Sequence, residues 1–238
     1  MTVESDKRLS MLEHLEELRW RVFKAAAVVV AGAIAAYVFR NPIFEWLKAP
    51  FEEAFPGLEL QTIKPTEQFA SAMRIAAFGG FVLASPFVSW QLWAFVAPGL
   101  TKKERRWTIP IVAAMVVLFL AGVAFAYLVL PRGLLFLNSV LDVPVSPTVS
   151  EYLSFVLRFL LVFGLAFEYP VFMFAAGAVG LVSSKQLGQA RRWAILTITV
   201  VAAAATPTGD PFTMLVLAVP LYLMYEITLL LIRFVLRK

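Results

Sequence analysis

The 238-residue sequence contains no cysteine and a single histidine, His14. The lack of thiols excludes disulfides, thiolate nucleophiles and cysteine-ligated metals, and one histidine cannot build a multi-histidine metal site. The HExxH and GxSxG motifs of common hydrolases and the Walker A loop of ATPases are also missing. The sequence therefore predicts a protein that is not an enzyme, needs no cofactor or metal, and does not couple to ATP within this chain.

Charged residues are scarce as well. They make up 16% of the chain, hydrophobic residues make up 61%, and the mean hydropathy is +0.80. Ordinary globular proteins are about 25% charged and about 45–50% apolar, so a soluble domain of this length could not bury so much apolar surface. The sequence predicts a polytopic membrane protein. Its net charge of +5 does not indicate nucleic-acid binding, because the charges gather at the ends of hydrophobic segments.

Six hydrophobic segments can be identified, and each is predicted to be a transmembrane helix because a lone segment in lipid must satisfy its own backbone hydrogen bonds. Their approximate bounds are 22–39, 69–97, 107–130, 152–182, 193–205 and 212–232. The predicted fold class is all-α, with one membrane domain over residues 1–238. The fifth segment has only about 13 apolar residues, or about 20 Å of helix against a hydrocarbon core of about 30 Å. Such a helix either thins the bilayer locally or is shielded from lipid by its neighbours.

Proline predicts irregularities in several of these elements. Pro86 and Pro170 are expected to kink the second and fourth segments, and Pro220 is expected to interrupt the sixth. The long loop 41–68 contains several prolines and mixed charges, and we expect an ordered cap of short helices there. A second proline-bearing loop is expected at 131–151.

The orientation follows from the distribution of lysine and arginine, which gather in cytoplasmic loops of membrane proteins. One side of the predicted topology carries most of them, namely Lys7, Arg8, Arg19, Arg21, Lys24, Lys102, Lys103, Arg105, Arg106, Lys185, Arg191, Arg192, Arg233, Arg237 and Lys238. The opposite side has fewer, namely Arg40, Lys48, Lys64 and Arg132. The positive-inside rule therefore predicts that both termini lie in the cytoplasm.

The N-terminal segment predicts a helix with an acidic face beside the membrane. Ser10 followed by Glu13 is a capping-box signal, and apolar residues recur at three- and four-residue spacing. Glu17 can pair with Arg21 one helical turn later. The helix either lies on the inner leaflet or offers its carboxylates to a cationic partner. The glutamates, which include Glu16, favour the partner because an anionic membrane surface prefers a basic face.

Glu104 stands alone among four cations in the stretch KKERR at 102–106, between the second and third segments. In one interpretation the cations set the topology and simply neutralise Glu104. In the other, Glu104 is a second carboxylate at the cytoplasmic face that binds a guanidinium group in bidentate geometry. The residues alone leave both interpretations open.

Glu168 lies within a long apolar run, and Arg158 is ten residues earlier, about 15 Å away along a straight helix. Ionising an acid in hydrocarbon costs about 2.5–3.5 kcal/mol even on the lowest scales. We therefore expect Glu168 to face a polar cavity and to be at least partly protonated. The alternative is a protonated acid that is hydrogen-bonded to a neighbouring helix. Asp210, in TPTGDPF, indicates only a turn former.

Five short motifs occur in order between the predicted helices. They are HLEELRWR (14–21), FVAPGLTKKERR (95–106), FGLAFEYP (163–170), TPTGDPF (206–212) and AVPLYLMYE (218–226). With these motifs the chain resembles the TatC family, the signal-peptide receptor subunit of the twin-arginine protein translocase, from about residue 9 to 237. One departure is Pro131 in FAYLVLP, one residue earlier than in the family, which affects only the local geometry at the end of the third helix.

The resemblance implies a cupped six-helix protein of the bacterial or archaeal cytoplasmic (inner) membrane. It would recognise the twin-arginine signal peptides of folded cargo at the cytoplasmic face and nucleate a translocation complex driven by the protonmotive force. The implied partners are the single-helix subunits TatA and usually TatB, in an oligomeric complex surrounded by membrane lipid.

The resemblance also implies roles for individual residues. Glu17 and Glu104 would contact the two arginines of the signal peptide. The residues that would surround this site are Leu15, Leu18, Arg19, Phe95 and Arg105. Pro50 matches a functionally sensitive proline of the first outer loop, and Glu168 would be the polar point on the concave face.

Other functions remain open at this point. An ion-coupled secondary transporter of a small solute would explain Glu168 and the broken helices, but no internal repeat is visible and only one acid lies clearly within the membrane. An intramembrane enzyme is disfavoured by the missing catalytic motifs. A passive scaffold for other helices is compatible with a receptor. Solute flux into liposomes containing only this chain would favour the transporter.

Overall fold

The computed structural model describes residues 11–96, 108–139, 147–178, 180–205 and 211–236. Within these ranges the chain is helical, with one isolated bridge between Gln61 and Thr148. The helices are α1 (Met11–Val38), α2 (Arg40–Ala54), α3 (Pro65–Val96), α4 (Thr108–Ser139), α5 (Val149–Ala166), α6 (Tyr169–Ala178), α7 (Ser184–Gln189), α8 (Arg191–Ala205) and α9 (Pro211–Leu231), and a π-helical turn, Ile232–Leu236, follows α9. The predicted all-α fold class is confirmed.

Five stretches of the described chain are long and apolar enough to cross a membrane. They are Glu13–Val38, Pro65–Phe95, Thr108–Ser139, Val149–Ala178 and Met214–Phe234. The sixth membrane helix, α8, has 15 residues and is therefore about 22 Å long. Its Ile195 and Val200 side chains are 50% and 58% exposed, so the neighbouring helices of the described chain do not shield it. The structure thus favours local thinning of the bilayer around α8.

Proline interrupts fewer helices than the sequence predicts. α3 continues through Pro86 and α9 continues through Pro220, so the predicted interruption at Pro220 is wrong. α4 continues through the buried Pro131 as far as Ser139, so the predicted start of the outer loop at 131 is also wrong. A proline removes one amide donor from a helix, and the packing of a long, partly buried helix outweighs that loss.

The predicted fourth segment does break, between Ala166 and Tyr169. Pro170 has no N–H to donate to the carbonyl of Ala166, four residues earlier, so the α-helical hydrogen-bond pattern cannot continue there. The Glu168 amide instead donates to the Leu165 carbonyl at 3.1 Å in a tighter turn. This break places Glu168 at the junction of α5 and α6.

Glycines allow α1 and α3 to pack in direct backbone contact. A Cβ atom added to Gly80 would collide with the backbone of Ala33, and one added to Gly32 would lie 2.8 Å from the Gly80 carbonyl oxygen. α4 and α5 also pack in backbone contact at a glycine, since a Cβ at Gly122 would lie 2.5 Å from the Phe163 carbonyl oxygen. Small residues at helix interfaces are typical of membrane proteins. They hold α1 directly against α3, and this packing positions the candidate site.

The connection between α1 and α3 forms the ordered cap that the sequence predicts. α2 begins two residues after α1 ends and buries Leu47 and Phe51 in the main core. The Glu67 carboxylate joins this connection to α5, because it accepts hydrogen bonds from the backbone amides of Ile63 at 3.0 Å and Ser150 at 2.8 Å. The cap is therefore tied to the N-terminal ends of both α3 and α5.

Candidate functional site

The α1 helix carries the acidic residue on which the predicted site depends. Glu17 Oε1 accepts a hydrogen bond from Arg21 Nε at 2.9 Å, so the predicted pair one helical turn apart is confirmed. Arg21 Nη1 donates in turn to Gln91 Oε1 of α3 at 3.2 Å. This bond joins residues 70 positions apart and fixes the acidic face of α1 beside the C-terminal part of α3.

The second carboxylate oxygen of Glu17 has a different environment. Oε2 is buried and has no hydrogen-bond partner among the described residues, although the side chain as a whole is 23% exposed. The Nδ1 atom of His14 lies 3.7 Å from it, beyond hydrogen-bonding distance. A buried acceptor that is left unpaired costs about 1–3 kcal/mol, and more when it is charged. Glu17 therefore gains from any donor that reaches Oε2.

His14 connects the same face of α1 to the end of α3. Its ring stacks on Phe95, with the ring centroids 4.2 Å apart and the planes at 11°. Phe95 is a predicted site residue, and it lies one turn after Gln91 on α3. The structure therefore brings Glu17 and Phe95 to one junction of α1 and α3.

Two residues of this junction, His14 and Gln91, are not among the predicted site residues. A long polar side chain one turn before Phe95, in the mostly apolar C-terminal half of the segment, is a signal that could have identified Gln91. The stacking of His14 has no comparable signal in the sequence, because it depends on how α1 packs against α3.

Three other predicted site residues lie on the accessible surface of α1. Leu15 is 59% exposed, and Leu18 is half-buried. Arg19 is exposed, with its guanidinium carbon 5.7 Å from the centroid of the Phe23 ring. These side chains can contact a peptide that lies along α1 without any rearrangement of the helix.

Glu104 and Arg105 lie outside the described residues, between α3 and α4, so their roles in the site stay predictions. The turn predicted around Asp210 lies outside the described residues too. Phe95, next to the last residue of α3 that the structure describes, stacks on His14 of α1. The N-terminal part of α1 therefore lies at the end of α3 that leads into the stretch containing Glu104.

Pro50, the predicted sensitive residue of the outer loop, is buried inside α2. The carbonyl of Leu47, in the same helix, accepts a hydrogen bond from the buried Tyr152 hydroxyl of α5 at 2.7 Å. On the surface of α2, the hydrogen-bonded Glu52 carboxylate raises the pKa of Lys48 above its usual value. Pro50 thus belongs to a helix that packs against the core and is hydrogen-bonded to α5.

Glu168, at the junction of α5 and α6, is only 5% exposed. Its Oε2 atom has no hydrogen-bond partner among the described residues. The expectation that the carboxyl group faces a polar cavity stays a prediction. An apolar cavity of about 330 Å³ lies between α6, α8 and α9, lined in part by Tyr169, Phe172, Ile198 and Leu221.

Residues 13–220 of the chain match the family model described as Sec-independent protein translocase protein (TatC). The chain belongs to the TatC family. The match covers most of the sequence and includes Glu17, Phe95, Glu104 and Glu168. The resemblance carried by the five short motifs is thereby confirmed.

Individual TatC proteins are similar to this chain over nearly its whole length. The Sec-independent protein translocase protein TatC of Deinococcus radiodurans is 38% identical over 94% of this chain and 85% of its own. The TatC protein of Aquifex aeolicus is 35% identical over 97% of this chain and 97% of its own. A crystal structure described as the twin arginine translocase receptor TatC is 36% identical, covers 93% of this chain and 98% of its own, and superposes with a TM-score of 0.80. The chain therefore has the six-helix membrane fold of TatC.

Proposed function

We propose that this TatC-family chain is the receptor subunit of a twin-arginine translocase. It recognises the twin-arginine signal peptide of folded cargo at the cytoplasmic face and nucleates a translocation complex that the protonmotive force drives. The observation that carries the proposal is the position of Glu17, whose unpaired Oε2 lies at the junction of α1 and α3. The chain continues from that junction into the stretch containing Glu104.

The chemistry of arginine suits this junction. A guanidinium group is planar, permanently charged and presents five N–H donors, which match a carboxylate in bidentate geometry. Glu17 and Glu104 supply one carboxylate for each arginine of the signal peptide. The internal bond from Arg21 does not prevent this, because ion pairs one helical turn apart contribute only about 0.3–0.5 kcal/mol. Hydrogen bonds to charged groups contribute about 1.5–3 kcal/mol, so an incoming arginine displaces Arg21 or binds the second oxygen.

The side chains around the two carboxylates contribute specificity. The four cations next to Glu104, at 102, 103, 105 and 106, repel basic peptides that do not place their arginines against the carboxylates. Leu15 and Leu18 offer apolar surface beside Glu17, which suits the hydrophobic part of a signal peptide. Phe95 closes the junction from the α3 side through its stack with His14.

The proposed location is the bacterial or archaeal cytoplasmic (inner) membrane, with both termini in the cytoplasm. The concentration of lysine and arginine on one side of the six helices supports this orientation. In this orientation the junction of α1 and α3 is reached from the cytoplasm, where folded cargo is made, and α2 lies on the outer side.

The partners proposed for the complex are TatA and, where it is present, TatB, each with a single membrane helix. The apolar cavity between α6, α8 and α9 supports a helix-binding role for that face, and Phe172 and Val201 are exposed beside it. Several copies of this chain and its partners assemble in lipid to form the oligomeric complex.

Copurification tests the receptor function. The chain in mild detergent should retain a precursor with a twin-arginine signal peptide and lose its KK variant, because lysine lacks the planar fork of arginine. Glu17→Gln should reduce retention about tenfold, as expected for loss of a hydrogen bond to a charged group. Glu16→Gln, at an exposed residue of the same helix, should leave retention unchanged. Equal retention by the two variants would exclude the proposed site.

A further inference from the structure

A polar cavity of about 420 Å³ lies where the α1–α2 connection meets the N-terminal ends of α3 and α5. We call it the cap cavity, and its polar lining consists of Arg40, Asn41, Thr62, Gln68 and Ser71. Two other cavities of the described chain, one between α6, α8 and α9 and one beside Phe39 and Trp46, have almost wholly apolar linings. The cap cavity differs from them in offering a cation, two amides and two hydroxyls to a ligand.

Arg40 supplies the charge of the cap cavity. One of its N–H groups, on Nη1, donates to the Tyr37 carbonyl at 3.1 Å, and the guanidinium carbon lies 4.6 Å from the centroid of the Tyr37 ring. These two contacts hold the guanidinium in place. Among the salt bridges of the described residues none includes Arg40, so its charge is not neutralised by a carboxylate. The cavity therefore favours an anion.

Ser71 points to the same conclusion independently. It is 4% exposed, it lines the cap cavity, and its hydroxyl has no hydrogen-bond partner among the described residues. A buried hydroxyl without a partner costs about 1–3 kcal/mol, and an acceptor in the cavity would remove that cost. Asn41 and Gln68 add amide donors to the same space.

The carboxylate nearest in sequence does not oppose an anion in this cavity. Glu67, next to Gln68, does not line the cavity. Its oxygens accept hydrogen bonds from the backbone amides of Ile63 and Ser150 at 3.0 and 2.8 Å. These amides thus compensate the negative charge of Glu67. The carboxylate lies between the starts of α3 and α5, outside the cap cavity.

The level of the cap cavity in the membrane identifies the class of anion. Arg40 follows the end of the span Glu13–Val38 by two residues, and Ser71 lies in the second turn of the span Pro65–Phe95. This is the depth at which lipid phosphates lie. The apolar side chains of Phe39, Ile63 and Phe69 are exposed at the same level, where acyl chains would lie.

We propose that the cap cavity is a binding site for a phosphate group at headgroup level, carried by a membrane phospholipid. Arg40 binds the phosphate oxygens in bidentate geometry, and Ser71, Asn41 and Gln68 donate to the remaining oxygens. Bound phosphate would link α2 to the start of α3 on the side of the membrane opposite the signal-peptide site. The inference does not depend on the proposed receptor function.

Lipid retention by the full chain, purified in neutral detergent, tests this site by native mass spectrometry. The probes are phosphatidylglycerol, diacylglycerol with the same acyl chains, and inorganic phosphate. The wild-type chain should retain phosphatidylglycerol but not diacylglycerol. Arg40→Gln should lower that retention about tenfold and Ser71→Ala severalfold, as expected for hydrogen bonds to a charged group. Arg132→Gln, at an exposed arginine of α4 that does not line the cavity, should have no effect.

Equal retention of diacylglycerol and phosphatidylglycerol would overturn the proposal, and so would equal retention by the Arg40 and Arg132 variants. If Arg40→Gln does not fold, Arg40→Lys takes its place in the experiment. This variant should retain less lipid than wild type, because lysine keeps the positive charge but lacks the planar set of N–H donors that binds two phosphate oxygens. Displacement of phosphatidylglycerol by millimolar phosphate, with the same dependence on Arg40, would support the phosphate site and identify the free anion as a second source. A lack of displacement would assign the site to the lipid alone.

Discussion

The Tyr127 hydroxyl of α4 donates a hydrogen bond to the Trp46 carbonyl of α2 at 2.8 Å, and the two aromatic rings stack with centroids 4.3 Å apart. Trp46 lies four residues before Pro50, which has no N–H to offer to that carbonyl. Tyr127 therefore replaces the backbone hydrogen bond that Pro50 removes. The proline of the cap and the tyrosine of α4 form one structural unit.

Tyr127→Phe is expected to lower the free energy of unfolding by about 1 kcal/mol, because the Trp46 carbonyl loses its donor. In a Pro50→Ala background the same change should cost less, since the alanine amide can then bond to that carbonyl. Unfolding of the four proteins in mixed micelles measures the coupling. Equal losses in both backgrounds would show that the two residues act independently.

Arg21→Gln is expected to change the affinity for a twin-arginine peptide by no more than about threefold. The Glu17–Arg21 pair is a partly exposed pair one turn apart, worth about 0.3–0.5 kcal/mol, which corresponds to about a twofold change in binding. Anisotropy of a labelled signal peptide measures the affinity. A loss greater than tenfold would instead assign Arg21 an essential role in orienting Glu17 through its bond to Gln91.

Glu104→Lys is expected to abolish crosslinking to a twin-arginine precursor while the chain remains inserted in the membrane. The substitution removes an acceptor and places a fifth cation in a stretch that already has four. Photocrosslinking from a labelled precursor measures binding, and resistance of the chain to alkaline extraction controls for insertion. Normal crosslinking to the variant would contradict the role proposed for Glu104.

Glu168→Gln is expected to impair transport less than Glu168→Ala. The Glu168 side chain is largely buried, so glutamine keeps the volume and a polar oxygen, whereas alanine leaves a cavity at the junction of α5 and α6. Transport of a twin-arginine precursor into membrane vesicles measures the difference, with the amount of inserted chain as the control. Equal defects in the two variants would show that an ionised carboxylate is required at position 168.

Features that depend on local sequence were predictable. Hydropathy was enough to predict six membrane helices and the short α8, because each helix in lipid satisfies its own backbone hydrogen bonds. The Glu17–Arg21 pair was predictable because residues four apart are neighbours on any helix. A disturbance of the helix at Pro170 was predictable because that residue has no amide donor.

Features that depend on packing were not predictable. Pro220 and Pro131 carry the same local signal as Pro170, yet α9 and α4 continue through them. Burial of the proline does not separate these cases either, because Pro131 and Pro170 are both buried. The degree of burial of Glu168 could not be predicted either, because an isolated acid in an apolar run is compatible with a cavity, a pair or a closed site.

By itself, the sequence determined the membrane class, the number of membrane helices and the family, because composition and short motifs carry that information locally. Only the tertiary structure decided that Arg21 reaches Gln91 and that His14 stacks on Phe95. The physical reason is that these contacts join side chains on separate helices. They form because glycines, such as that at position 80, allow α1 and α3 to approach to backbone contact, and no local pattern specifies which helices meet in that way.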